Sequence, residues 1–500
     1  MVSFHYKTCV KYVRGENMNL KKSQLALLMI LSLFIGGVTV FFGIHFLQPD
    51  TAQQTPGPSL FSTEGTVEEL PEDMRKVGQA YTLIKENYIE EVEDQELIEG
   101  AIQGMLSTLE DPHSSYLDVE MMGQFNEQIE SSFEGIGAEV SMVNGIVTIV
   151  SPIKDSPAEK AGLRPNDQVL KVDGESLEGL NLNEAVAKIR GEKGSEVVLE
   201  ILRPGVSEPF EVSLIRDEIP VETVYSEMET IDGKKTGIIE VTNFSETTAE
   251  EFKEQLTELE NDGMEGLIID VRGNPGGLLN IVEEMLGLFV PEDIPYLQIE
   301  DRDGEKTPYY SDLNEKKDYP ISVLIDEGSA SASEILAVAL KEMGYDVVGQ
   351  PSFGKGTVQQ AVPLGDGSSI KLTFYRWLSP KGESIDGKGV QPTIEVKQKD
   401  YYYTAPVQIE EPLSYDETGE DIANIQQMLK GLNYDPGRTD GYFDEETTEA
   451  VEAFQEDHEL AVTGEVDEET AGLIEAKVVE QIRSGEDDVQ LQTAMEELYQ

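Results

Sequence analysis

The chain has 500 residues, too many for one ordinary domain, and its 39% hydrophobic and 27% charged residues support folded cores and exclude wholesale disorder. Its 98 Asp and Glu against 37 Lys and Arg give a net charge of −61, which excludes nucleic acid as a partner and repels anionic surfaces. The single cysteine, Cys9, excludes an intramolecular disulfide and any CxxC metal or redox site, and of the four histidines only His113 and His458 lie where a Ser-His-Asp triad or a His-ligated zinc could use them.

Leu25 to Ile44 form a run of twenty residues without a charge, enough for a helix to cross a bilayer core of roughly 30 Å. Lys7, Lys11, Arg14, Lys21 and Lys22 precede it and acidic sequence follows, so the positive-inside rule predicts a cytoplasmic segment at 1–24, a transmembrane anchor at 25–47 and an extracytoplasmic remainder. A cleaved signal peptide is the competing reading, but the run exceeds the usual span of roughly 7–15 residues and no A-x-A site follows. Residues 48–66, rich in Pro, Gln, Thr and Ser, read as a linker.

Over 67–130 apolar residues such as Ala80, Leu83, Ile84 and Tyr88 recur at helical spacing, interrupted by a turn at DPHSSYL (Asp111–Leu117), where His113 is expected to hold structure rather than catalyse. Over 131–213 short β-rich runs with glycine punctuation take over: EGIGAEV, then SPAEKAGL and DQVLKVDGE. These resemble a PDZ domain, inserted between the helical region and the segment that begins at 214. The resemblance implies capture of a peptide C-terminus by the backbone amides of Ile136 and Gly137, with the peptide added as a strand.

Residues 214–405 alternate strand and helix signals (TGIIEVTNF, AEEFKEQLTELEND, GLIIDVRG, LLNIVEEMLGLFV, YPISVLIDEG, ASASEILAVALKEMG), which predicts an α/β core with largely parallel strands. After a linker at 406–418, residues 419–478 form a small helical unit in which DGYFDEETTEAV and TGEVDEETAGLI echo one turn-then-helix pattern, with Asp444 and Asp467 as helix caps. This unit resembles the peptidoglycan-binding domain of bacterial cell-wall enzymes. Residues 479–500 read as a C-terminal tail.

Three segments carry chemistry. GSASASE places Ser329, Ser331 and Ser333 where a buried strand meets a helix, whose free N–H groups suit an oxyanion, although serine is equally a good helix cap. FGKGTVQ offers Lys355 as the base that a serine without histidine needs, provided burial lowers its pKa. DVRGNPGG (Asp270–Gly277) adds a glycine turn after a core strand, where backbone amides can approach a carbonyl closely.

In this order the three strongly resemble the S41 peptidase family of carboxyl-terminal processing, or tail-specific, proteases, over about residues 67–400. The resemblance implies Ser331 as nucleophile, Lys355 as general base and Gln359 as the residue that orients the lysine amine. It implies an oxyanion hole from the amide of Ala332 and one from the Gly276–Gly277 pair, with Glu334 supporting the loop. It implies no metal or other cofactor, protein or peptide substrates with free C-termini, a homo-oligomer, and a single-pass membrane protein with its catalytic part outside. Arg190, in KIRGEKG, is the candidate link by which the PDZ module gates the core. A non-catalytic scaffold would be favoured by loss of Ser331 or Lys355, and both are present. A coenzyme A-binding enzyme of the crotonase-like superfamily would have no use for a PDZ module.

Overall fold

The computed structural model describes residues 72–500, apart from 144, 207, 408 and 410, so the predicted segments 1–24, 25–47 and 48–66 lie outside the described residues. Among the described residues no helix is long and apolar enough to cross a membrane. The described residues divide into two units, one ending at Ile89 and the other running from Glu90 to Gln500. In the first, helix α1 (Arg75–Asn87) is amphipathic and leaves Val77, Leu83 and Ile84 exposed.

The second unit opens with α2 (Asp94–Ser107), a three-residue strand β1 (Ser115–Leu117) and α3 (Val119–Ile129), whose first turn is capped by the Asp118 carboxylate accepting from Met121 N at 2.8 Å. The PDZ-like module then enters through β2 (Ser132–Gly135). It comprises β3 (Ala138–Val143), β4 (Ile146–Pro152), the short α4 (Pro157–Lys160), β5 (Gln168–Val172), β6 (Glu175–Ser176), α5 (Leu182–Ile189), β7 (Glu196–Leu202) and β8 (Phe210–Ile215). It leaves through β9 (Asp217–Pro220), which pairs antiparallel with β2, so a two-stranded ribbon carries the whole insertion. Its sheet runs β3-β4-β5-β7-β8, with β6 beside β5, and β3 is an edge strand. Alternate residues of β7, Val197, Leu199 and Ile201, are fully buried in the module's own core with Ile149 and Ala185. Buried Arg216 ends the module and satisfies the last carbonyls of α5, donating to those of Lys188 and Ile189 at 3.2 and 2.8 Å.

The α/β core is built from β10 (Val224–Ile231), β11 (Lys234–Val241), α6 (Thr248–Asn261), β12 (Gly266–Asp270), α7 (Leu279–Leu286), β13 (Pro295–Glu300), β14 (Lys306–Tyr310), β15 (Ile321–Ile325), α8 (Ala332–Glu342), β16 (Asp346–Gly349), β17 (Thr357–Pro363), β18 (Ser369–Leu378) and β19 (Ile394–Glu395). One sheet runs β10-β11-β12-β15-β16-β19, parallel throughout except for the antiparallel β10. This is the βα alternation expected from the sequence. A second, antiparallel sheet of β1, β18, β13 and β14, with β17 also on β18, was not foreseen. Through it the short β1 belongs to the core, pairing Ser115 with Lys371 and Tyr116 with Ile370.

Strands such as GLIID are apolar on both faces because both are covered. Leu267 and Ile269 meet the cluster that includes Phe252 of α6, Val282 of α7 and Leu336 of α8, whereas Ile268, with Ile238, Leu324 and Val348, faces the other way. That second face is covered by the end of the chain. After the helical unit of α9 (Glu420–Gly431), α10 (Glu445–Asp457) and α11 (Glu468–Ser484), capped as expected by Asp444 and Asp467, the last helix α12 (Val489–Glu497) lays Ala494 and Leu498 on the sheet. Asp488, just before it, pairs with Arg272 at 2.7 Å, and Arg272 also pairs with Asp270. The stretch read as a tail is therefore part of the core and is tied to the DVRGNPGG turn.

Candidate active site

Each of the three chemical segments is a turn at the end of a core strand. The GSASASE segment joins β15 to α8, and its three serines divide by what their hydroxyls do. Ser329 Oγ donates to the carbonyl of Val271 at 2.7 Å and Ser333 Oγ to that of Asn274 at 2.9 Å, and both residues are fully buried. Ser331 donates to no side chain or carbonyl among the described residues and is partly exposed. It is the N-cap of α8 with φ 54° and ψ −110°, a backbone conformation outside the usual regions for a residue with a Cβ. A strained strand-to-helix elbow of this kind lifts a nucleophile's hydroxyl clear of its own chain.

Strain of this sort persists only where the surroundings fix it, and Glu334 fixes it here. Its carboxylate is fully buried and accepts four hydrogen bonds. One oxygen takes Ser331 N and Lys355 N, both at 2.8 Å; the other takes Ser352 Oγ at 2.5 Å and Gly354 N at 2.7 Å. The amides of the two predicted catalytic residues thus share one acceptor. From the other side, the carbonyl of Lys355 accepts from the indole of Trp377, which is buried. Glycine on both flanks is required by space, since a Cβ on Gly354 would stand 2.9 Å from Gly389 N and one on Gly356 2.7 Å from Asp386 Cβ.

The lysine's pKa is lowered from the ordinary 10.5, first by burial and then by the positive charge of Lys371, while Glu334 and Asp111 oppose the change. Asp111 belongs to the DPHSSYL turn. Although burial would raise it, hydrogen bonds from Ser114 and Thr373 hold its carboxyl below the ordinary value. His113 contributes its backbone N–H to the same carboxylate at 2.9 Å. Gln359 lies on β17, four residues beyond Lys355, and its side-chain amide donates to Thr357 Oγ1 at 2.7 Å and Thr373 Oγ1 at 3.1 Å.

The glycine turn stands directly against the nucleophile. A Cβ on Gly276 would lie 2.8 Å from Ser331 Cβ and 3.0 Å from Ala332 N, so only glycine leaves room in front of that amide. The amide of Gly276 donates to Asn274 Oδ1 at 2.8 Å and is engaged within the turn, while Gly277 is exposed and its Cα side is closed by the backbone of Phe244. Of the two amides, that of Gly276 is thus taken within the turn, and that of Gly277 has no acceptor among the described residues.

In the PDZ-like module, buried Ile136 and Gly137 (φ 73°) connect β2 to β3 with both carbonyls engaged, Ile136 O by Ala158 N and Gly137 O by Ile153 N and Ser156 Oγ. Arg190, the C-cap of α5, pairs with Glu127 of α3 at 2.6 Å and lies over the ring of Phe133 in the ribbon, 4.8 Å from its centroid. The end of α3 in turn accepts hydrogen bonds at Gln128 O from Asn243 and Ser245 and at Ile129 O from Glu246, in the loop whose Phe244 abuts Gly277. Sequence reasoning missed Asp111 and Thr373 as neighbours of the site.

Comparison with known proteins agrees with this architecture. The family model for peptidase family S41 matches residues 235–396, a PDZ domain model 148–203, the activating protease CtpB N-terminal domain 33–121 and a putative peptidoglycan binding domain 418–474. The chain is 51% identical over 469 residues to the carboxy-terminal processing protease CtpB of Bacillus subtilis, covering 94% of this chain and 97% of that protein. It is 41% identical to the carboxy-terminal processing protease CtpA of the same organism, over 85% and 90% of the two chains. It is 33% identical to a probable CtpA-like serine protease of Staphylococcus haemolyticus, over 91% and 90%. The fold and site define a serine peptidase. The chain belongs to the S41 family and, within it, to the carboxy-terminal processing proteases.

Proposed function

We propose that the protein cleaves exported or membrane proteins presented by their C-termini, through a Ser331 acyl-enzyme formed with Lys355 as general base. The observation that carries this reading is the Glu334 carboxylate, which holds the backbones of Ser331 and Lys355 on one oxygen. In the first half-reaction Ser331 Oγ attacks the scissile carbonyl carbon as its proton passes to Lys355 Nζ, and the oxyanion is received by the amides of Ala332 and Gly277. Collapse of this intermediate breaks the C–N bond, and Lys355 returns the proton to the departing amine. Water, deprotonated by Lys355, then attacks the ester and frees Ser331.

The N–H groups of the Ile136–Gly137 loop receive the substrate's terminal carboxylate, and the peptide extends along the open edge of β3. Arg190 carries the state of the module to the core through Glu127 and the loop beside Gly277. Residues 25–47 anchor the chain with its catalytic part outside the cell, the 419–478 unit contacts peptidoglycan, and the protein works as a homo-oligomer.

The test is the pH dependence of turnover. Lys355 is active only when neutral and its folded pKa lies below 10.5, so kcat/KM should rise with pH through a midpoint below 10.5 and be unaffected by chelators. A flat profile, or inhibition by EDTA that zinc reverses, would overturn the mechanism.

A further inference from the structure

The side-chain amide of Gln359 could in principle present either its carbonyl or its NH2 to a given neighbour, and which one it presents decides whether it can serve the Lys355 amine. The surroundings of Gln359 make this choice. On β17, Thr357 and Gln359 are two residues apart, and a bulge that passes over Phe374 on β18 sets Gln359 opposite Thr373 rather than out of step with it. Gln359 Nε2 then lies 2.7 Å from Thr357 Oγ1 and 3.1 Å from Thr373 Oγ1.

A threonine hydroxyl has one hydrogen to give. That of Thr373 goes to Asp111 Oδ2 at 2.7 Å, because an ionised carboxylate has no hydrogen to give and can only accept, as it does from Ser114 Oγ on the same oxygen at 2.6 Å and from His113 N on the other at 2.9 Å. Toward Gln359, Thr373 is left as an acceptor, so Gln359 must turn its NH2 to it and keep its carbonyl for another donor. Ser114 Oγ also accepts the backbone N–H of Thr373 at 3.1 Å, which locks the turn to β18 at this point.

We propose that Asp111 and Thr373 are positioning residues that fix the polarity of Gln359, through the run of hydrogen bonds from Gln359 Nε2 to Thr373 Oγ1 to Asp111 Oδ2, so that Gln359 offers the Lys355 amine its carbonyl. A lysine amine that donates one hydrogen to that carbonyl holds its lone pair in a defined direction, which is what abstraction of the Ser331 proton requires. The DPHSSYL turn, outside the S41 core match of 235–396, is on this account a part of the catalytic apparatus. The inference rests on the reading of Gln359 as the residue that orients Lys355.

The test uses the full chain with Thr373→Val, Thr373→Ser, Gln359→Leu and the double variant Thr373→Val with Gln359→Leu, each checked for folding by circular dichroism and assayed on one peptide substrate. Valine matches threonine in shape but breaks the run, and should lower kcat about 10- to 100-fold with KM unchanged, the scale expected for a misdirected reacting group. Serine restores the hydroxyl and should return kcat to within about threefold of the parent. In the Gln359→Leu background the valine change should cost nothing further, because its effect passes through Gln359. Parental kcat in Thr373→Val, equal loss in the serine variant, or an undiminished loss in the double variant would each overturn the relay. Parental kcat in Gln359→Leu would instead remove the role of Gln359 itself, and the relay with it.

Discussion

Ser331→Ala, Lys355→Ala and Lys355→Arg should each lower peptide cleavage by about four orders of magnitude or more while leaving the protein folded, because a nucleophile and its base act as one unit and the loss of either is close to the loss of both. The arginine variant is the sharpest of the three. It keeps a cation and a long side chain, but a guanidinium does not deprotonate in the working range and cannot take the serine proton. Stability should respond to pH rather than follow activity. A lysine whose folded pKa lies below 10.5 binds its proton more weakly in the folded chain than in the unfolded one, so the parent gains stability as pH rises between those two values. Lys355→Ala removes that slope, and at neutral pH its unfolding midpoint should be no lower than the parent's by more than the lost side-chain packing. Appreciable cleavage by Lys355→Ala would dismiss lysine as the base.

Glu334→Gln should be nearly as damaging, for a reason that lies in counting donors. The glutamate's two oxygens receive four donors: three backbone N–H groups and the Ser352 hydroxyl. A glutamine replaces one oxygen by an NH2, so either the N–H groups of Ser331 and Lys355, or the N–H of Gly354 while the Ser352 hydroxyl turns to accept, face hydrogens instead of an acceptor. Each buried N–H left without a partner costs about 1–3 kcal/mol, which gives a loss of about 2–6 kcal/mol in the first case and about 1–3 kcal/mol in the second. Because the same bonds hold Ser331 in its strained conformation beside the Lys355 loop, kcat should fall by about a hundredfold or more even at temperatures where the variant remains folded. Denaturant unfolding alongside initial rates would separate the two effects. A variant with parental stability and parental kcat would show that the carboxylate does not hold the site together.

Local patterns in the sequence carried much of this architecture. The βα alternation of the core, the glycine-punctuated strands of the inserted module and the acidic caps of the last domain are each written within a few neighbouring residues. The chemical motifs are equally local, because a strand end, a glycine and a serine or lysine must be contiguous to form an elbow. The features that could not be read are long-range. Thr373 and Asp111 are 262 positions apart and Arg272 and Asp488 are 216 apart, and no periodicity announces that such pairs meet. The place of β1 in the antiparallel sheet was missed because it has only three residues and looks like part of a turn. The final helix did leave a signal: Leu491, Ala494, Met495 and Leu498 recur at helical spacing, and all belong to or pack on the cluster over the second face of the sheet. A core strand apolar on both faces needed a cover that the predicted helices supplied only once. The three serines are a different case, since each is a plausible cap by type, and only the partners of Ser329 and Ser333 set Ser331 apart.

The covalent intermediate itself is the most direct check. Acid-quenching the enzyme during turnover of a peptide p-nitrophenyl ester, with intact-mass measurement and peptide mapping of the quenched protein, should reveal one acyl group per chain, located on Ser331 and missing from the Ser331→Ala and Lys355→Ala proteins. An acyl group on Ser329 or Ser333, or full turnover with no adduct on any serine, would contradict the assignment of Ser331 as the nucleophile.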